Sequence, residues 1–190
     1  PGRDVAIALD PAASSFFANG KYELTKSGQG SKDTDAMIAL WKSWVEKYPI
    51  VSIEDGFDEN DWAGFKKMTA EMGSRVQIVG DDLFVTNPTF VARGIRERAA
   101  NAVLIKLNQI GTVSETIETI QLCKRAGWNY VISHRSGETE DTFMADVAMG
   151  GSQIKTGSAC RSERIAKYNR LLIIEHELGK SAMFENPFQK

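Results

Sequence analysis

The sequence predicts an α/β fold of the (β/α) barrel type, in which strands and helices alternate along the chain. Six short apolar segments alternate with six segments whose apolar residues recur at steps of three and four. Each apolar segment ends in a polar or charged residue that could take part in a functional site. These residues are Asp10, Glu54, Asp81, Lys106, His134 and Lys155, and they are 44, 27, 25, 28 and 21 residues apart. Units of about 25 residues are typical of a barrel in which roughly 250 residues build eight strand–helix units.

The six predicted strands are short and rich in branched apolar residues, as expected for strands covered on both faces. They cover residues 5–9, 50–53, 76–79, 103–107, 129–132 and 153–157. The first is followed by a loop of small residues, 11–15, and by a turn at Asn19-Gly20.

The predicted helices have recognisable caps and terminators. Asp33 or Thr34 caps the first helix, which Pro49 ends, and Gly73, Gly127 and Gly179 follow later helices. The other five helices are predicted over residues 62–72, 86–99, 113–126, 139–149 and 162–178.

An open doubly wound sheet is the alternative fold. It is disfavoured because functional-looking residues end all six strands, whereas an open sheet concentrates its site at one switch point. Six strands cannot close an eight-stranded barrel, so we expect two further strands upstream and only about six of eight units here. No low-complexity linker interrupts the chain, and we therefore assign residues 1–190 to one domain.

Composition excludes several classes of function. The formal net charge of −2 comes from 23 basic and 25 acidic residues spread along the chain, which argues against nucleic acid and membrane-surface partners. No apolar run approaches the roughly 20 residues of a membrane span. Residues 1–4 do not resemble a signal peptide. Cys123 and Cys160 are not clustered, which fits reduced cytosolic thiols better than a disulfide or a zinc site.

Lys106 interrupts the apolar strand that contains Val103, Leu104, Ile105 and Leu107. A charged side chain there is costly unless it is paired or points into a polar cavity. One interpretation is an inward lysine that forms a salt bridge with a carboxylate. The other is a catalytic base, and residues elsewhere in the chain have to distinguish the two.

Three consecutive strands end in carboxylates, namely Asp10, Glu54 and Asp81. In a barrel these strand ends meet at one mouth, where three carboxylates repel one another unless a cation lies between them. Oxygen ligands of this kind suit a hard ion, so we predict a Mg²⁺ site. The neighbouring Asp55 and Asp82 are interpreted as acids of the kind that follow a strand and cap the next helix.

The next three strands carry Lys106, then His134 with Arg135 and Ser136, then Lys155. Such donors suit the phosphate or carboxylate of an anionic substrate. A metal beside a carboxylate stabilises the charge that develops when the adjacent carbon loses a proton, and a nearby lysine can remove that proton. The spacing alone therefore suggests proton abstraction next to a carboxylate, with Lys106 as base.

Five motifs resemble those of the enolase (phosphopyruvate hydratase) family and occur in the same order. They are VLIKLNQIGTVSET at 103–116, SIEDGF at 52–57, IVGDDLFVTNP at 78–88, SHRSGETEDT at 133–142 and IKTGSACRSERIAKYNRLL at 154–172. The resemblance extends from about residue 5 to residue 179, and it implies the TIM-type barrel of the enolase superfamily.

The resemblance implies a role for each marked residue. Asp10, Glu54 and Asp81 correspond to Mg²⁺ ligands, and Lys106 corresponds to the base that takes the C2 proton of 2-phosphoglycerate. Arg135 and Ser136 correspond to phosphate-binding residues, Lys155 to a residue that contacts the substrate carboxylate, and His134 to a neighbour of the substrate. The implied reaction is reversible dehydration to phosphoenolpyruvate in glycolysis, by a cytoplasmic homodimer.

The sequence also departs from the family pattern. Ser15 stands where a glutamate is usual, and Glu175-His176-Glu177 stands where the family has Glu-Glu-Leu; we expect both changes to be tolerated. In the family, the proton-donating glutamate, the serine loop that closes over the substrate and the N-terminal domain all lie upstream. We therefore expect residues 1–190 by themselves to be poorly active.

Two other functions remain open. One is a superfamily enzyme that acts on another carboxylate, which Arg135 and Ser136 make less attractive because they match the phosphate-binding pattern. The other is a non-catalytic fragment or a surface form. Members of the family are known to bind plasminogen at the cell surface, and Lys190 is a C-terminal lysine of the type that such binding uses. Alternatively, Lys190 merely ends a solvated tail.

Overall fold

The computed structural model describes residues 2–151 and 153–188. The strands among these residues are β1 (Ile7–Leu9), β2 (Phe17–Ala18), β3 (Lys21–Leu24), β4 (Gly30–Lys32), β5 (Ile50–Glu54), β6 (Gln77–Gly80), β7 (Ala102–Ile105), β8 (Asn129–Ser133) and β9 (Gln153–Lys155). The helices are α1 (Thr34–Lys47), α2 (Trp62–Met72), α3 (Pro88–Glu97), α4 (Leu107–Ile110), α5 (Val113–Ala126), α6 (Phe143–Ala148) and α7 (Ser162–Leu178). None of these helices is long and apolar enough to cross a membrane.

Six strands form one parallel sheet in the order β1-β5-β6-β7-β8-β9, which is also their order along the chain. Adjacent strands lie about 4.8 Å apart, so β5 and β9 would be about 19 Å apart in a flat sheet. Nevertheless, the Lys155 Nζ atom on β9 lies 2.8 Å from the Glu54 Oε1 atom on β5. The sheet is therefore strongly curled, and the predicted barrel-type arrangement of parallel strands is confirmed.

Side chains alternate between the concave and the convex face of the curled sheet. Val79, Ala102, Leu104 and Val131 form a small apolar cluster of their own on the concave face. Their neighbours in the strands, including Ile78, Val103 and Ile132, belong to the larger core beneath the helices. At the amino ends of the strands, Gln77 on β6 bonds to Gln153 on β9 at 2.7 and 3.1 Å, which also requires the curl. The concave face is therefore closely packed.

The first strand differs from the prediction. A buried strand was expected over residues 5–9, but β1 covers Ile7–Leu9, and its side chains are mostly exposed, as is Val5 at 71%. The reason is that β1 lies at the edge of the sheet, where β5 is its single neighbour. The apolar pattern predicted a strand that is covered on both faces, but β1 pairs with β5 alone and stays largely exposed.

A second sheet was not predicted. Strands β2, β3 and β4 form a three-stranded antiparallel ribbon between β1 and α1. The predicted Asn19-Gly20 turn is present, because both residues have positive φ angles, 53° and 76°, and connect β2 to β3. The strands around it were missed because they are two to four residues long and lack a clear alternation.

Most predicted helices are confirmed, with small shifts at their ends. Helices α2, α5 and α7 have the predicted bounds, and Asp33 and Asn87 cap α1 and α3 through hydrogen bonds to backbone N–H groups. The helix predicted over 139–149 was too long, because α6 begins only at Phe143. The side chains of Thr139 and Asp141 bond to backbone N–H groups two residues on, and these local bonds replace the first helical turn.

The strand that contains Lys106 is also shorter than predicted. Strand β7 ends at Ile105, Lys106 is the residue between strand and helix, and Leu107–Ile110 forms the short helix α4. Lys106 therefore lies at the carboxyl end of the strand rather than inside it. Its position keeps the parity of Leu104, so its side chain projects from the concave face towards the mouth.

The Phe84 ring is fully buried behind the sheet, between two glycines. A Cβ atom added to Gly80 or to Gly94 would lie within 3.0 Å of this ring. The ring has little freedom to move, because it also packs against Trp62 and Trp128 at centroid distances of 5.9 Å. The close approach of β6 and α3 therefore depends on both glycines.

We expect Gly94→Ala to lower the free energy of unfolding by about 1–2 kcal/mol, because overpacking of the Phe84 ring outweighs the better helix propensity of alanine. Urea unfolding followed by circular dichroism measures this change. Gly137→Ala is the control, since a Cβ atom there meets nothing within 4 Å. Equal stability of Gly94→Ala and the unchanged protein would contradict this account of the packing.

Candidate functional site

The carboxyl ends of the six parallel strands form one mouth, and the predicted site residues lie around it. Glu54 and Lys155 are the last residues of β5 and β9, and Asp10, Asp81, Lys106 and His134 follow directly after β1, β6, β7 and β8. Because the sheet is curled, residues that are 101 and 145 positions apart in the chain come into contact. The structure therefore brings the acidic and basic residues of the prediction together.

Lys155 joins two of the predicted carboxylate ligands. Its Nζ atom donates to Asp10 Oδ2 and to Glu54 Oε1, both at 2.8 Å. Glu54 is buried, whereas Asp10 is exposed. The two carboxylates thus converge on a single point that is already occupied by a positive charge.

Asp81 is bound by a second lysine. Lys106 Nζ donates to Asp81 Oδ2 at 2.5 Å, and the Gln109 amide donates to Asp81 Oδ1 at 2.9 Å. Thr86 fixes both partners, because its hydroxyl accepts the Lys106 backbone N–H at 2.9 Å and donates to Gln109 Oε1 at 2.6 Å. The predicted salt bridge of Lys106 is therefore present, and the lysine is held at the mouth by its backbone and by its side chain.

The three carboxylates Asp10, Glu54 and Asp81 are close enough for their charges to influence one another. Burial raises the pKa of Glu54 to about 7; Lys155 opposes this shift, and the charges of Asp10 and Asp81 add to it. Burial alone would lower the pKa of Lys155, but its bonds to Asp10 and Glu54 outweigh burial and raise it. Lys155 is therefore kept as an ammonium by the acidic half of the mouth.

Asp55, Asp81 and Asp82 form another acidic group, whose carboxylate oxygens lie within 4.8 Å of one another. Asp55 is buried and has a positive φ of 44°, and its two oxygens accept the backbone N–H groups of Asp81 and Asp82 at 2.9 and 2.8 Å. Burial raises the pKa of Asp55 to about 8, against these two donors. Because both oxygens are in use, Asp55 shapes the Asp81 turn. The prediction that Asp55 and Asp82 cap the next helices is wrong, since Asp61 caps α2 and Asn87 caps α3.

His134, Arg135 and Ser136 lie in the loop after β8, beside Lys155. The His134 backbone N–H donates to the Lys155 carbonyl at 3.0 Å, which connects this loop to the end of β9. The Arg135 guanidinium donates to Asn108 Oδ1 at 3.1 Å. Ser136 is exposed at the rim. The structure therefore places the predicted anion-binding residues next to the acidic half.

Two residues of α7 hold this loop from behind, and sequence reasoning missed both. Arg164 bonds to His134 Nδ1 and to the carbonyls of Arg135 and Ser136. Lys167 is fully buried and donates to Glu138 Oε2 at 3.0 Å, while Glu138 Oε1 accepts the Arg135 N–H at 2.9 Å. Burial would raise the pKa of Glu138, but the Arg135 N–H and Lys167 together lower it.

The missed residues had a weak signal in the sequence. Arg164 and Lys167 are three positions apart, which places two cations on neighbouring positions of one helical face. Glu138 and Gln109 stand inside motifs that were quoted for their neighbours, His134 and Lys106. These partners could have been suspected, but their contacts could not be paired without the fold.

The residues present fit a hard divalent cation. The donor set of Asp10, Glu54 and Asp81 consists of carboxylates only, which are typical Mg²⁺ ligands. Two lysine ammonium groups now contact these carboxylates at 2.5–2.8 Å, so the geometry already accommodates positive charge at these oxygens. Asp81 also belongs to the acidic group with Asp55 and Asp82.

The fold and the site together define a β/α-barrel segment with a half-acidic, half-basic mouth at the carboxyl ends of its strands. Comparison with known proteins identifies the family. Residues 2–189 match the model of the enolase C-terminal TIM barrel domain, and the chain belongs to this family.

Two relatives are similar over almost the whole chain. Enolase 1 of Methylococcus capsulatus is 69% identical over 186 residues, and the enolase of Desulfotalea psychrophila is 64% identical over 188 residues. In both cases the match covers 97% of this chain and 44% of the relative. The chain thus spans less than half the length of these relatives, whose names denote the lyase phosphopyruvate hydratase.

We expect Lys167→Met to lower the free energy of unfolding by about 3 kcal/mol, because the change leaves Glu138 and two backbone carbonyls without their buried cation. Chemical unfolding measures the loss. Lys42→Met is the matched control, because the Lys42–Glu71 ion pair is exposed at 3.8 Å and contributes less than about 1 kcal/mol. Similar losses for the two variants would contradict a structural role for Lys167.

Proposed function

We propose that the protein is a Mg²⁺-dependent phosphopyruvate hydratase, which interconverts 2-phosphoglycerate and phosphoenolpyruvate in glycolysis. The observation that carries the proposal is the mouth itself, where Lys106 and Lys155 contact Asp81, Glu54 and Asp10 beside the loop of His134 to Ser136. The names of the two relatives support the choice of reaction.

In this proposal, Asp10, Glu54 and Asp81 hold the cation. When bound, a divalent cation stabilises the negative charge that develops on the substrate carboxylate as the adjacent carbon loses its proton. Lys106 and Lys155 now bond to carboxylates of this set, and Lys155 can exchange its two partners for an anionic group of the substrate. Cation and substrate can therefore occupy the mouth together.

Lys106 is proposed as the base that removes the C2 proton. Its backbone N–H is tied to Thr86, and its Nζ atom lies at the mouth, 2.5 Å from Asp81 Oδ2. This geometry supports the proposal because it holds the amine at the mouth. To act as base, the Lys106 amine has to be free of Asp81, its present partner in the salt bridge.

The basic half is proposed to bind the anionic groups of the substrate. Arg135 and Ser136 are assigned to the phosphate, Lys155 to the carboxylate, and His134 to a position beside the substrate. The Arg135 guanidinium suits a phosphate because it offers several donors in one plane. Its present partner is a neutral amide, Asn108, so a phosphate would not have to displace a carboxylate from it.

We further propose that residues 1–190 form the C-terminal part of a catalytic barrel domain, with an N-terminal domain and two further strands outside this segment. We extend to the protein the cytoplasmic homodimer that the family resemblance implies. The alternative function, plasminogen binding at a cell surface, was suggested by Lys190, which lies outside the described residues. No contact described here favours it over the enzymatic function.

The decisive experiment is the absorbance assay for phosphoenolpyruvate formation from 2-phosphoglycerate, on the complete gene product with its intact mass verified. We expect turnover with Mg²⁺, its loss in excess chelator and its recovery when Mg²⁺ is restored. Absence of turnover with Mg²⁺ would contradict the proposed reaction, and turnover that persists in excess chelator would contradict the metal dependence. A panel of other carboxylates tests the alternative substrate class.

Two variants of the complete protein separate the base from the metal site. We expect Lys106→Ala to slow deuterium exchange of the C2 proton by at least about a hundredfold, because the general base is lost. Asp81→Asn should retain exchange at saturating Mg²⁺ and raise the Mg²⁺ requirement by at least about tenfold. Nuclear magnetic resonance of the substrate in D₂O measures both. Undiminished exchange in Lys106→Ala would assign the base to another residue.

A further inference from the structure

We propose that Arg164 is a positioning residue of this site, which fixes His134 as the neutral Nε2–H tautomer and orders the backbone of Arg135 and Ser136. The inference rests on the proposed function for its effect on substrate binding. The tautomer itself can be tested independently of turnover.

The tautomer follows from hydrogen-bond chemistry. The Arg164 Nη1 atom lies 2.6 Å from His134 Nδ1. A guanidinium only donates hydrogen bonds and keeps its charge in proteins, so Nδ1 has to be the acceptor. An imidazole that accepts at Nδ1 carries its proton at Nε2 and is neutral. Arg164 thereby leaves His134 with a single N–H donor, on the other side of the ring.

The same guanidinium also orders the next two residues. It donates to the Arg135 carbonyl at 2.9 Å and to the Ser136 carbonyl at 3.1 Å. Its side chain is only 11% exposed, and three acceptors from consecutive residues surround one planar group. A lysine has a single compact ammonium on a flexible stem and cannot reproduce this fork.

The environment of the His134 ring also favours its neutral form. Burial first, and then the positive charges of Arg164 and Lys155, lower the pKa of His134, while Glu138 opposes this effect. One helical turn further along α7, Lys167 anchors Glu138, which holds the Arg135 N–H. The loop is thus attached to α7 at both ends, and Arg164 is the attachment that reaches its functional residues.

The test compares Arg164→Met and Arg164→Lys with Arg170→Met in the complete gene product. Arg170 is the matched control, because it lies on the same helix and pairs with Asp146 and Glu177 instead of the loop. Long-range ¹H–¹⁵N correlation spectra of the histidine rings report the tautomer, and His134→Gln assigns the signal. The steady-state assay gives KM and kcat, and thermal unfolding verifies that each variant is folded.

We expect His134 to show the Nε2–H pattern at about pH 6 in the unchanged protein and in Arg170→Met, and to keep it in Arg164→Lys, whose ammonium also only donates. In Arg164→Met we expect the pattern to be lost, because Nδ1 is then free to bind a proton. In both Arg164 variants, KM for 2-phosphoglycerate should rise by roughly 10-fold to 100-fold, which is a larger factor than the fall in kcat. If folded Arg164→Met keeps the Nε2–H pattern, the inference is wrong, whether or not turnover changes. If the unchanged protein shows the pattern without turnover, the proposed function fails while the tautomer assignment stands.

Discussion

The alternation of side chains along the parallel strands is the constraint on which the site depends. On β7, Val103 and Ile105 enter the core beneath the helices, whereas Ala102 and Leu104 face the concave side. Lys106 follows in the same parity and therefore reaches the mouth. A register slip of one residue would turn its charge into the helix layer, where no water could solvate it. Packing of the apolar residues and placement of the charged residue are thus one requirement.

Charge balance at the mouth explains why a cation and an anion suit it together. Glu54 and Asp81 expose only 8% and 10% of their side chains, so their ionised forms need partners. Lys106 and Lys155 supply two positive charges against the three carboxylates of the proposed ligand set. One negative charge remains among these five groups, and Asp82 adds a further carboxylate next to Asp81. A divalent cation would offset this negative charge and so reduce the repulsion of an anionic substrate.

Sequence reasoning succeeded where structure is decided locally. Pro49 and Gly127 end helices by their own backbone chemistry, whereas Gly73 ends α2 with a right-handed φ of −62° instead of the left-handed turn that its type favours. The strand-end residues could be assigned to one mouth because parallel topology leaves no other place for them. Sequence reasoning failed where contacts with other elements decide the local structure. The exposure of β1 depends on which strands lie beside it, and the β2–β4 ribbon consists of pieces too short to show a period. The late start of α6 reflects side-chain bonds that compete with the helix.

The second layer of the site marks the limit of prediction most clearly. Its hydrogen bonds join residues 28 to 30 positions apart, between the loop after β8 and α7, and their pairing is set only when α7 packs against the sheet. A buried lysine such as Lys167 is unfavourable until Glu138 and two carbonyls surround it, so its role exists only in the folded chain. Residues that are proposed to touch the substrate can be inferred from where strands end. Residues that orient them can be found only once the helices are in place.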